Sequence, residues 1–130
     1  MATPLLETVV IAEELATLLD GVDGLRSYWY ISDLVRPPAA VVGQPEIDYL
    51  DPASTFCAAT WTFPITVVVG RGSDREAQTL MSRLLHEIVA ALATEVPGIF
   101  DISPVDARPI TVSIGQQELP AYNLNVRVRA

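Results

Sequence analysis

The residue types that most often perform chemistry are scarce in this chain. It has one histidine, His86, and one cysteine, Cys57. On a helical wheel His86 points away from the apolar residues Leu84 and Ile88, so we expect an exposed imidazole with no catalytic role. Cys57 has no histidine near it in sequence to activate a thiolate. A single cysteine also excludes an internal disulfide and any multi-cysteine zinc or iron–sulfur site.

A glycine-containing loop, Gly70-Arg71-Gly72-Ser73, lies between a predicted strand and a predicted helix, which is where phosphate-binding loops occur. It lacks the lysine and spacing of a P-loop and the third glycine of a dinucleotide-binding loop. We interpret the glycines as permitting a tight turn. Arg71, Asp74 and Arg75 then lie in solvent or meet a neighbouring subunit, and we favour the neighbour.

Two sets of carboxylates are candidates for acid–base or calcium chemistry. Glu13 and Glu14 lie on the surface of a predicted helix, and Asp48 and Asp51 lie in a predicted loop. Neither set has the repeated oxygen ligands of a calcium-binding loop. We interpret them as solvated charge, so the sequence predicts no catalytic, metal or cofactor site and no enzyme.

Length, composition and charge argue against several classes of protein. The 130 residues suit one domain, and the apolar runs are shorter than the roughly 20 residues of a membrane-spanning helix. Residues 1–4 contain no basic residue, and acidic residues follow them, so no signal peptide is expected. The net charge is −8, and all eight basic residues are arginine. This balance argues against nucleic-acid binding.

The first half of the chain predicts one helix and three strands. Thr3 can cap a helix that begins with Pro4 and ends at Asp20. Its apolar residues recur at helical spacing: Leu5, Val9, Ala12, Ala16 and Leu19. Strands are predicted at 25–31, at 39–42 in the centre of the sheet, and at 61–69, where side chains alternate. Pro64 indicates that the first half of the last of these strands lies at an edge or bulge. The proline and aspartate residues of segment 43–59 favour an extended loop or a short arm.

The second half predicts a helix followed by three strands. Ser73 and Glu76 form a capping box, and the helix ends before Pro97. Its apolar stripe is Ala77, Leu80, Met81, Leu84, Leu85, Ile88 and Leu92. Strands are predicted at 99–105, 110–114 and 122–128. Residues 1–130 therefore predict a single α+β domain with a mostly antiparallel or mixed β-sheet packed against two helices, in the order α-β-β-β-α-β-β-β.

Apolar, aromatic and arginine side chains predict a contact surface. Ile11 and Leu18 widen the stripe of the first helix beyond what one sheet face requires, which fits either a helix deep in the core or a subunit contact. Trp29, Trp61, Phe63 and the tyrosines fit either the core or an interface. Those that are exposed are candidate interface anchors, because aromatic residues and arginine dominate binding hot spots. The candidate interface residues are Ile11, Leu18, Tyr28, Tyr30, Tyr49, Trp61, Arg71, Asp74, Arg75, Arg127 and Arg129.

Three runs of sequence carry a resemblance to a known family. They are Arg36-Pro37-Pro38-Ala39-Ala40-Val41-Val42-Gly43, Thr62-Phe63-Pro64-Ile65-Thr66-Val67-Val68-Val69-Gly70-Arg71, and Ser73-Asp74-Arg75 followed by Ala77-Gln78. In this order and spacing the chain resembles the small tail-terminator and neck proteins of long-tailed, non-contractile bacteriophages of actinobacterial hosts. The family has a polar insert before the tryptophan–phenylalanine strand, where this chain has the apolar residues 56–60.

The resemblance implies a structural virion protein without a cofactor. It implies a ring of six copies that caps the tail tube, joins it to the head connector and lets DNA pass without specific binding. The implied partners are other copies of the chain, the tail tube protein and the head–tail connector or stopper protein, with no membrane. The implied location is the virion neck, after assembly in the host cytoplasm.

Two other functions remain open at this point. A head-side connector or stopper of the same neck has a similar size and the same partners. A small ligand-binding or enzymatic α+β domain requires a pocket with convergent polar groups.

Overall fold

The described residues of the chain fold as a single α+β domain with two helices and a six-stranded mixed sheet, and the predicted fold class is confirmed. The computed structural model describes residues 7–30, 35–49, 59–70, 74–94, 96, 99, 101–114 and 116–129. The elements are α1 (Thr8–Asp20), β1 (Arg26–Tyr28), β2 (Ala39–Val42), β3 (Glu46–Asp48), β4 (Thr60–Val68), α2 (Asp74–Leu92), β5 (Asp101–Ile114) and β6 (Gln117–Arg129).

The element order differs from the predicted order at two places and reads α-β-β-β-β-α-β-β. Strand β3 lies within the segment 43–59 that was predicted to be a loop, and it pairs antiparallel with the start of β4. The two strands predicted at 99–105 and 110–114 form the single strand β5, with a bulge between Pro104 and Asp106. Pro109 does not end β5, because β5 is an edge strand and a missing N–H is tolerated there.

The sheet has the order β1-β2-β4-β6-β5, and β3 pairs with β4 beyond the end of β2. Strands β1 and β2 are parallel, and the other pairs are antiparallel. Strand β2 has neighbours on both sides, as its apolar sequence predicted. The long antiparallel pair β5 and β6 forms the other end of the sheet.

Strand β4 is a central strand, with a break on one side at Phe63 and Pro64, so the expectation that its first half lies at an edge or bulge was wrong. It pairs with β6 on one side and with β2 and β3 on the other. Pro64 is tolerated because it lies at the break between β2 and β3. There the backbone N–H of Gly43 donates to the carbonyl of Pro64 at 2.7 Å.

Both helices pack on one face of the sheet, which we call the helix face. From β4 this face receives Trp61, Phe63, Ile65 and Val67, all buried. The helices contribute the buried residues Ile11, Ala12, Leu15, Ala16 and Leu19 of α1 and Met81, Leu84, Ile88 and Leu92 of α2. The apolar stripe predicted for α2 therefore forms its core side. Residues Thr3 to Leu5 of the predicted first helix and Ser73 of the capping box lie outside the described residues.

The opposite sheet face, which we call the open face, has a different character at each end. At the β5–β6 turn it carries a small apolar cluster of Val68, Leu119 and Ala121. Toward the end of β6 the outward side chains become polar. Because directly opposed residues of antiparallel strands share a face, the sheet register decides which polar groups meet there.

Candidate interaction sites

Two of the predicted interface residues lie in the core. Ile11 and Trp61 are 0% and 1% exposed, so the expectation that they contact a partner is corrected. Ile11 lies on the core side of α1. Trp61 lies on the helix face of β4, where its indole N–H donates to the hydroxyl of Thr8 at 3.2 Å. Both side chains stabilise the domain itself.

The other candidates on the helices and loops are partly or fully accessible where the structure describes them. Leu18 is half-buried against the core. Tyr28 is half-buried, and its hydroxyl accepts a hydrogen bond from the backbone N–H of Arg36 at 3.3 Å. Tyr30, Tyr49 and Arg75 are exposed. Arg71 and the side chain of Asp74 lie outside the described residues, so the neighbour contact expected of this arginine-containing loop stays a prediction.

An aromatic groove of about 550 Å³ opens beside the start of α1. Its principal lining residues are Val9, Trp29, Tyr30, Pro45 and Ile47. The rings of Trp29 and Tyr30 meet edge to face, with centroids 5.0 Å apart and planes at 71°, a favourable aromatic geometry. Trp29 is nevertheless 40% exposed and Tyr30 50% exposed.

Such exposed apolar groups are typical anchors of a protein interface. Trp29 was absent from the predicted interface set. Its position in the same aromatic run as Tyr28 and Tyr30 was the available signal.

Arg127 and Arg129 lie side by side on the open face of β6. They alternate with Val126 and Val128, which are fully buried on the helix face, so strand geometry directs both arginines to the opposite side. The register forms two rows across the sheet. The rows are Glu46, Thr62, Arg127 and Ser103, and Asp48, Thr60, Arg129 and Asp101.

We call the concavity around the two arginines the arginine pocket. It has a volume of about 420 Å³ and is lined by Arg127, Arg129, Thr60, Thr62, Glu46, Ile47 and Asp48. Its polar lining comes from three strands that are distant in sequence. The sequence predicted Arg127 and Arg129 as interface residues, and the sheet register adds the two threonines and the two acids.

Two surface ion pairs in the described part of the chain, Arg83–Glu87 at 3.1 Å and Arg108–Asp106 at 4.0 Å, do not involve the pocket arginines. Asp48, which borders the pocket, already has a partner. The Nε atom of Arg129 is shielded from solvent and has no hydrogen-bond partner. A buried donor without an acceptor costs about 1–3 kcal/mol. Because this Nε atom is enclosed, it marks a local cost in the folded chain, and only the terminal N–H groups of the two guanidiniums can serve an acceptor from outside.

A third concavity, of about 610 Å³, lies between α2 and the β5–β6 hairpin. Its lining is mainly apolar and includes Val69, Ala77, Met81, Leu85 and Tyr122. Its polar lining residues are Gln78, Ser82 and Tyr122, and its lining contains no carboxylate, histidine, lysine or arginine that could activate them. A groove with this lining is suited to apolar contacts.

The described residues contain no group of three or more histidine, cysteine, aspartate or glutamate side chains that could hold a metal ion. His86 is exposed on α2, as expected, whereas Cys57 lies outside the described residues. Neither α1 nor α2 combines the length and the apolar character needed to cross a membrane.

No model of a known protein family matches the chain, and no curated protein matches it either. The resemblance to phage neck proteins therefore depends on the three sequence runs alone. In the structure the described parts of these runs lie in β2, in β4 and in the first residues of α2. Two of the three runs are thus neighbouring strands at the centre of the sheet.

Proposed function

We propose that this chain is a structural, non-catalytic subunit of the neck of a long-tailed bacteriophage. In this proposal it is a tail terminator, and its copies form a ring of six on the finished tail tube and join the tube to the head connector. The resemblance of the runs in β2, β4 and α2 to that family supports the class of protein. The surfaces of the domain support the manner of assembly.

The observation that carries the proposal is the presence of two chemically different concavities on the two faces of the sheet, with Ile47 of β3 lining both. The aromatic groove lies at the helix side, where it is bordered by Val9 of α1. The arginine pocket lies on the open face. Copies that join through two unlike surfaces form head-to-tail contacts, which close into a ring when the rotation between copies fits.

The charge of the chain suits a conduit for DNA. Each copy has a formal net charge of −8, and a ring of such copies repels the phosphate backbone. Duplex binding requires clustered positive charge. The two arginines of the pocket have Glu46 and Asp48 beside them, so they do not form such a cluster. DNA in this proposal passes through without specific binding.

The proposed partners are other copies of the chain, the tail tube protein and the head–tail connector or stopper protein, and the proposed location is the virion neck. Electron cryomicroscopy of purified particles tests this arrangement. We expect six copies in one ring between the last tube ring and the connector. A ring embedded in the head connector, away from the tube, would support the stopper function and contradict the terminator.

A further inference from the structure

We propose that the arginine pocket is a carboxylate-binding site that receives the acidic outer face of α1 from a second copy of the chain. The outer face is defined by the exposed residues Glu7, Val9, Val10, Glu13 and Glu14. This inference depends on the ring in the proposed function and names the contact that builds it.

The geometry of the pocket favours planar anions. Arg127 and Arg129 are two residues apart on one strand, so their Cα atoms are about 6.8 Å apart. Each guanidinium has a planar set of N–H donors that matches the two oxygens of a carboxylate. Thr62 lies directly opposite Arg127 on β4, and its hydroxyl adds a further polar group to the lining. The Nε of Arg129 is enclosed, so the donors offered to an incoming carboxylate are the terminal N–H groups of the two guanidiniums.

The charge of the pocket disfavours a polyanion, and a side-chain carboxylate is bound there by directed hydrogen bonds from the guanidinium groups rather than by net charge. Glu46 and Asp48 border the arginines, and their formal charges offset those of Arg127 and Arg129. A nucleic acid would find no net positive charge in the pocket and would be repelled by a chain whose net charge is −8. One or two carboxylates on a helix can be bound by the N–H donors of the two guanidinium groups without any wider positive surface.

The outer face of α1 offers the complementary chemistry. Glu13 and Glu14 are exposed, and neither takes part in the ion pairs of the described residues. Val9 and Val10, one turn earlier, are 45% and 41% exposed. The face therefore combines acidic groups for the pocket with apolar surface for the flanking contact.

The positions of the two surfaces make the contact intermolecular. Helix α1 packs on the helix face, whereas the pocket lies on the open face, so a copy cannot place its own α1 in its own pocket. Each copy then gives α1 to one neighbour and receives α1 from the other. Such a contact propagates head to tail, as a ring requires.

Charge-swapped variants test this contact by sedimentation equilibrium at low ionic strength. The pocket variant carries Arg127→Glu and Arg129→Glu, and the helix variant carries Glu13→Arg and Glu14→Arg. Each variant alone brings like charges together, and we expect its association constant to fall at least tenfold. An equal mixture of the two variants makes every contact complementary again, and we expect association to return with alternating copies. Arg108→Glu is the matched control, because Arg108 is exposed on the same sheet face and lies outside the pocket.

The outcomes separate the two proposals. If wild-type protein associates and the pocket variant associates equally well, the carboxylate site is wrong and the ring stands. If the pocket variant is defective but the mixture does not recover, α1 is not the occupant, and the inference is overturned. If wild-type protein stays monomeric at every concentration, alone and on purified tail tubes, both the ring and this contact fail. Circular dichroism checks folding, and the exposed Arg127→Glu alone replaces the double variant if that variant is unfolded.

Discussion

The backbone N–H of Gly43 donates to the carbonyl of Pro64 at 2.7 Å, across the break between β2 and β3. A Cβ atom at position 43 would lie 3.0 Å from Cγ and 3.1 Å from the carbonyl oxygen of Pro64. The contact between Gly43 and Pro64 thus allows a proline in the central strand β4, at the point where β2 and β3 meet along one side of that strand.

Gly43→Ala is expected to destabilise the domain by about 1–3 kcal/mol, because the added methyl overlaps Pro64 in a packed region. Urea unfolding measures this change. Gly70→Ala is the control, since a Cβ there meets Pro37 only at an ordinary 3.7 Å, and its effect should stay within about 0.5 kcal/mol. Equal stability of the Gly43→Ala variant and the parent would show that the close approach has no energetic role.

Thr8→Val is expected to lower the free energy of unfolding by about 1–3 kcal/mol, because it leaves the indole N–H of buried Trp61 without its acceptor. Thermal unfolding followed by tryptophan fluorescence measures the loss. Thr17→Val provides a matched control in the same helix, where the hydroxyl donates only to the carbonyl of Glu13. If both variants lose the same stability, the hydrogen bond to Trp61 contributes nothing of its own.

Tyr30→Ala is expected to weaken self-association at least tenfold, because interface anchors of this kind each contribute about 2 kcal/mol or more. The side chain is 50% exposed in one copy, so the stability of the isolated domain should change little. Sedimentation equilibrium measures association and circular dichroism measures stability. Val89→Ala, at an exposed apolar position on α2, should leave both unchanged. An unaltered association constant for Tyr30→Ala would remove the aromatic groove from the interface.

Purified protein is expected not to bind duplex DNA at moderate salt, because the net charge is −8 and the pocket arginines are bordered by acids. Gel shifts at several salt concentrations measure this. Micromolar binding that weakens steeply with salt would contradict the passive conduit and would require a basic surface.

The parts of the fold that could be predicted are those with a strong periodic signal. Alternation in β4 placed Trp61, Phe63 and Ile65 on one face, and the stripe of α2 placed Leu84 and Ile88 in the core. Strand β3 was missed because three residues, two of them acidic, carry no periodic pattern. The prediction divided the long strand β5 into two, because residues 106–109 lie between its two apolar stretches.

The arginine pocket was only partly predictable for a different reason. The alternating sequence of β6 identifies Arg127 and Arg129 as outward side chains. Thr60 and Asp48 lie beside these arginines only because of the order and register of β3, β4 and β6. The local pattern of residues along one sequence does not reveal which strands pair or in which register. The sequence left Ile11 between the core and a subunit contact, because the helical wheel was set from Leu5 and Val9, and Val9 is 45% exposed.

The most direct test of the proposed function is electron microscopy of lysates from a phage that encodes this chain, after deletion of its gene. A terminator occupies the last growing surface of the tail, so its loss leaves that surface free to add tube subunits. We predict filled heads beside separate tails of uncontrolled, excessive length, with normal particles restored when the wild-type protein is supplied from a plasmid. Free tails of normal length beside emptied heads would contradict this account and assign the chain to the head-side stopper.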